Sequence, residues 1–123
     1  MVPGKPAQIL EVLRSMKQDN PDIEALAVVS LDGLPISSLL PEGAEEDRIA
    51  ALSATILSLG DRASEELKKG KLEQAYVKGS EGYVLVTGIK DLAALLVVTN
   101  KNAKLGLVML GIKKGITEIE KVL

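Results

Sequence analysis

Three sets of residues in this chain have side chains or spacing that chemistry can use. Glu45-Glu46 and Glu65-Glu66 are adjacent carboxylates, material for acid–base work or a cation site. Arg48 and Arg62 are guanidinium groups of the kind that reach toward a phosphate. Gly70-Lys71 and Gly79-Ser80-Glu81-Gly82 are glycine placements of the kind that cradle phosphates or clamp a nucleotide backbone. Each set meets a physical objection. Neighbouring positions on a helix point about 100° apart, so adjacent carboxylates converge poorly. A phosphate loop needs a glycine five positions before Gly70 and a hydroxyl after Lys71, but Glu65 and Leu72 stand there. Gly79 to Gly82 falls between two strand-like segments, where it reads as a hairpin turn. The two arginines read better as members of surface ion pairs than as phosphate-reaching groups.

The residues that are missing exclude more. The 123-residue chain has no Cys and no His, and its only aromatics are Tyr76 and Tyr83. Thiolate nucleophiles, zinc ribbons, iron–sulfur clusters and histidine-based triads are therefore unavailable to it. No cofactor and no metal are expected. With 15 Lys+Arg against 17 Asp+Glu the formal net charge is −2, without the basic, aromatic-laced surface of a nucleic-acid binder. The uncharged run 49–60 falls well short of the ~20 apolar residues of a membrane span. The start, Met1 to Pro6, lacks a signal peptide's apolar stretch. A cytoplasmic protein with no membrane span is expected, folded as one domain over 1–123 around an aliphatic core.

Hydrophobic periodicity supplies the elements that position these residues. Ile9, Leu10, Leu13 and Met16 make one stripe on a helix over 7–19, stopped by Asn20-Pro21. Residues 25–30 are a continuous apolar run and read as a central strand. Asp32-Gly33 signals a tight turn into a return strand over 35–40, whose leading Pro35 suits a sheet edge. The longest helix spans 45–69, with one stripe of Ile49, Leu52, Ile56, Leu59, Ala63 and Leu67 and another of Ala50, Ala54 and Leu57. Strands follow over 71–78, 83–88 and 92–99, then a helix over 103–122 with Asn102 as its N-cap. The class is α+β, in the order α-β-β-α-β-β-β-α, and the short connections imply an antiparallel five-stranded sheet. Gly106, Gly111 and Gly115 in the last helix predict a close backbone approach to the sheet or to the first helix.

Two features rise above background. From 49 to 60 the long helix has no charge on any side, whereas a surface helix shows a charged outer face. One side must meet the chain's own sheet, and the other is left for a further layer or a partner chain. The half-polar strand over 71–78 reads as an edge. Together they point to a protein that pairs with protein.

The chain resembles the Roadblock/dynein light chain family. The resemblance rests on the strand–turn–strand run from Ala27 to Ile36, which contains Asp32-Gly33-Leu34-Pro35-Ile36. It extends through the Ala/Leu-rich helix 49–67, the segments 72–79 and 82–86, then 95–98 and 102–107. It implies a profilin-like sheet with the first and last helices on one face and the long helix on the other. It also implies a homodimer in which the third strands pair edge to edge and the long helices pack together. Ala50, Ala54, Leu57 and Ser58 would then make the helix contact, and Leu72, Gln74, Tyr76 and Val77 the strand contact. Prokaryotic members are regulators of small Ras-like GTPases, which implies such a partner here, with Glu45, Arg48, Arg62 and Glu66 as rim contacts. The alternative is a structural light-chain-like scaffold subunit with no nucleotide-dependent role. No residue maps onto a catalytic group, so no enzyme is implied.

Overall fold

The computed structural model describes residues 5–123. Three helices and five strands follow one another as α1 (Lys5–Asp19), β1 (Ile23–Ser30), β2 (Pro35–Leu39), α2 (Glu46–Glu66), β3 (Gln74–Gly79), β4 (Gly82–Ile89), β5 (Ala93–Thr99) and α3 (Leu105–Glu120). Of the Pro/Gly lead, residues 1–4 lie outside the described residues, while Lys5 and Pro6 already belong to α1.

The strands form one antiparallel sheet in the order β2-β1-β5-β4-β3. The two most continuously apolar segments, β1 and β5, lie side by side near its centre because both faces of each are covered. Alternation sorts their side chains. Leu26, Val28, Leu95 and Val97 point to one face, where α1 and α3 cover them with Ile9, Leu13, Ile112 and Ile119. Ala27, Val29, Ala94 and Leu96 point to the other, beneath Ala50 of α2. The second layer is thinner because alanines let the helix lie close to the strands. Gly60 serves the same end: a Cβ there would stand 3.0 Å from Leu72 and 3.3 Å from Ala75.

Several boundaries and turns depart from the sequence reading. Asp32-Gly33 is not a two-residue turn. The connection runs over four residues, closed by Ser30 N donating to Leu34 O at 2.8 Å, and only Gly33 has positive φ (87°). Gly33 is needed because α2 crosses directly above, with Ala51 Cα 3.3 Å from where a Cβ would sit. The left-handed two-residue turn is Lys90-Asp91, at φ 52° and 57°, closed by Leu92 N to Ile89 O at 2.9 Å. The last helix starts at Leu105 with Lys104 before it, so Asn102 is no N-cap; its N–H donates to Asn100 Oδ1 instead. The glycine expectation holds toward the first helix at Gly115, where a Cβ would collide with Met16, and Gly111 meets Asn20 just beyond that helix at 3.2 Å, but it fails at Gly106, which has nothing within 4 Å.

Candidate functional site

The two edges of the sheet differ in ways that matter for pairing. At one edge β2 is five residues long, opens with Pro35, and is tied to the start of α1 by Ser37 Oγ donating to Pro6 O at 2.9 Å. At the other, β3 is bonded to β4 on one side only. It has no proline, and its last four residues are exposed. An edge of that kind presents a row of unpaired N–H and C=O groups, a template for another strand. Register divides its side chains. Tyr76 stands opposite Leu85, which belongs to the core under α1 and α3, and Val77 opposite Val84 on the α2 side.

α2 runs across the sheet, from Ala51 over the β1–β2 turn at Gly33 to Gly60 over Leu72 and Ala75, and carries an exposed ridge on its outer side. Leu52 and Leu59 are 58% and 65% exposed, and they sit in the series Arg48, Leu52, Thr55, Leu59, Arg62, Glu66. Alternating steps of four and three keep these six in line along the helix, the spacing of a helix–helix seam. The apolar middle is flanked by charge. Arg48 pairs with Glu45 at 3.5 Å and Arg62 with Glu66 at 3.2 Å, all four side chains solvent-facing. The four expected rim residues therefore cluster at the two ends of one ridge. Pairs this exposed contribute little to stability and leave their charges available.

The expected helix-contact residues are placed differently. Ala50 is 1% exposed and is packed into the chain's own core against the sheet, so it has no surface to offer a partner. Ala54 and Leu57 are half-buried on the same side, and Ser58 is exposed at its margin. Periodicity separates two stripes on a helix without saying which one faces the sheet. Here the small residues face it, for close approach, and the leucines face out. Side-chain size was the available signal: alanines suit a tight helix–sheet layer, and leucines at seven-residue spacing suit a seam.

Of the strand residues, Tyr76 and Val77 are exposed, while Gln74 is half-buried with Nε2 donating to Thr87 Oγ1 at 3.0 Å. Leu72 precedes β3 and packs beneath Gly60. Ala54, Leu57, Ser58 and Leu72 together line an open groove of about 790 Å³ between α2 and the end of the sheet, floored by Gly88. At its mouth Lys71 pairs with Asp91 at 2.6 Å, and that hydrogen bond and charge hold the Lys71 amine above its ordinary value. The pair is fully solvated, so it offers no perturbed acid or base inside a cleft. Among the described residues no group of three or more Asp or Glu is placed to hold a metal ion, and no helix is long and apolar enough to cross a membrane.

The family model of the Roadblock/LC7 domain matches residues 9–100, from α1 to the end of β5. The chain belongs to the Roadblock/LC7 family. At the level of sequence this Roadblock chain is 29% identical over 98 residues to the Methanocaldococcus jannaschii protein MJ0310, covering 80% of the chain and 85% of that protein. Its fold superposes on Myxococcus xanthus MglB with a TM-score of 0.88 at 21% identity, covering 99% of this chain and 92% of that one. It matches an MglB structure in a tetrameric arrangement equally well, with a TM-score of 0.88 at 17% identity and coverage of 99% and 92%. The three-helix, five-strand architecture is thus that of Roadblock proteins, including the two-plus-one placement of helices about the sheet.

Proposed function

We propose that this Roadblock chain is a non-enzymatic, homodimeric interaction module of the cytoplasm, one domain over 1–123, that binds and regulates a small Ras-like GTPase. The observation that carries the reading is the exposed Leu52–Leu59 ridge on the outer side of α2, in a chain whose β3 edge is unpaired. Antiparallel pairing of two β3 strands extends the sheet about a two-fold axis perpendicular to it, which brings both α2 helices to the same side. Two α2 ridges crossing antiparallel at the level of Leu57 set Arg48 of one copy opposite Glu66 of the other, and Thr55 opposite Leu59. The same register sets Leu52 opposite Arg62, so Arg48 and Glu66 pair at both ends and no like charges face each other. Ser58 lies at the margin of the helix contact with Ala54 and Leu57 beneath it, and Gln74, Tyr76 and Val77, preceded by Leu72, belong to the strand contact.

The outer surface of the paired helices is the docking face for the GTPase, with Glu45, Arg48, Arg62 and Glu66 at its rim. Control follows if that face binds one nucleotide state of the GTPase better than the other, since a partner shifts an equilibrium only by its differential affinity. The MglB tetrameric arrangement supports self-association as a property of this fold. The experiment is capture of candidate small GTPases, loaded with GTP or GDP, by the purified chain. Preferential capture of the GTP-loaded form is expected. Equal capture of both forms contradicts regulation and leaves the scaffold-subunit reading.

A further inference from the structure

The face opposite α2 has a character of its own. Leu107 and Leu110 on α3 are 54% and 66% exposed, one helical step apart, with no partner among the described residues to cover them. Lys104 precedes them on one flank, Lys113 follows on the other, and Lys114 and Lys121 continue the row. Charge is divided unevenly over the molecule. Residues 101–123 hold five lysines against Glu118 and Glu120, whereas α2 holds Arg48 and Arg62 against five acids. A chain of net charge −2 thus has one cationic layer. Lys104 and Lys113 make no ion pair among the described residues, whereas Lys114 reaches Asp19 at 4.0 Å and Lys121 pairs with Glu118 at 3.2 Å, both pairs solvent-exposed and weak. The platform is anchored, since Asn20 Nδ2 donates to Leu107 O at 3.2 Å and Gly115 seats Met16. The family match ends at residue 100, before this helix.

We propose that the outer face of α3 is a contact surface for an anionic membrane, with Leu107 and Leu110 entering the headgroup layer and Lys104, Lys113, Lys114 and Lys121 engaging lipid phosphates. Leucines ringed by lysines are the composition of interfacial contact. An acidic partner helix is the poorer occupant. Its bed would be the neighbouring α1–α3 groove, whose walls set Glu11, Asp19 and Glu118 against Lys114 alone. A flat anionic surface instead meets the exposed Leu107 and Leu110 and the lysines beside them. The monomer already has this face. In the proposed dimer both copies lie on one side of the extended sheet, away from α2, which adds bivalence to two weak contacts.

The test is flotation of the purified chain with phosphatidylcholine vesicles, with and without phosphatidylglycerol, at low and high salt. Binding is expected only with phosphatidylglycerol, and it should fall with salt because exposed charges are screened. Each lysine near an anionic surface is worth roughly a fivefold change in partition, so Lys113→Glu with Lys114→Glu should lower binding by at least about tenfold. Leu107→Ser with Leu110→Ser should lower it without altering the mass of the chain in solution. Light scattering and GTPase capture on the same variants keep this outcome separate from the dimer and GTPase readings. No flotation of the wild type at low salt, or flotation unchanged in both variants, overturns the proposal and leaves the face to a protein.

Discussion

Glycine at 115 costs α3 about 1 kcal/mol relative to alanine and is retained because Met16 occupies the space a side chain would need. Gly115→Val should therefore lower unfolding stability by about 1–3 kcal/mol through overpacking. Met16→Ala in the same chain should recover part of that loss, because the two changes share one contact. Chemical denaturation of the single and double variants measures the coupling. Strict additivity would mean that α1 and α3 do not meet at this point. The exposed residues follow a different logic. Leu52, Leu59, Leu107 and Leu110 gain little from the folded monomer, and the two proposed contacts would bury them on two separate helices.

At the scale of elements, the left-handed turn between β4 and β5 holds Lys90 at positive φ, a region costing an ordinary L-residue roughly 1 kcal/mol that asparagine tolerates better. Lys90→Asn should raise stability by about 0.5–1 kcal/mol in thermal or denaturant unfolding; a loss of stability would mean the turn is not strained. The α2 ridge makes a second prediction. Arg48→Glu should weaken self-association about fivefold, an exposed-pair effect of up to ~1 kcal/mol. Glu66→Arg added to it should restore association, and failure of the swap in sedimentation measurements would reject the antiparallel register.

Element order, sheet class and helix placement were legible because runs such as 25–30 and the stripe from Ile9 to Met16 repeat at the periods strands and helices impose. The turn at Lys90-Asp91 was legible as a turn but not in its type, because a lysine does not advertise positive φ, while Asp32-Gly33 advertises it at both positions and only Gly33 takes it. The pairing surface was half legible. The charge-free stretch 49–60 announced a two-sided helix, but period left open which stripe faces the sheet, and only the family resemblance put the alanine stripe at a helix contact. Its burial at Ala50 depends on how closely the sheet lets α2 approach, which is a tertiary fact.

The whole molecule has two unlike faces joined by a sheet with one open edge. The α2 face is apolar along a ridge and acidic around it, and the α3 face is cationic. In the proposed dimer, edge-to-edge pairing of β3 would keep these faces on opposite sides and double each, so that one module would hold a GTPase on one side and an anionic surface on the other. Placing the interface on the leucine ridge also redirects mutagenesis. Ala54→Arg would force a charge into the chain's own half-buried helix–sheet contact and disturb the monomer, whereas Leu59→Arg places it on the outer crest. The most direct measurement is light scattering coupled to size exclusion on the wild type and Leu59→Arg. The account requires a wild-type mass twice the 13.0 kDa of the chain and a folded variant at the single-chain mass. A monomeric wild type, or a Leu59→Arg chain that stays dimeric, contradicts it.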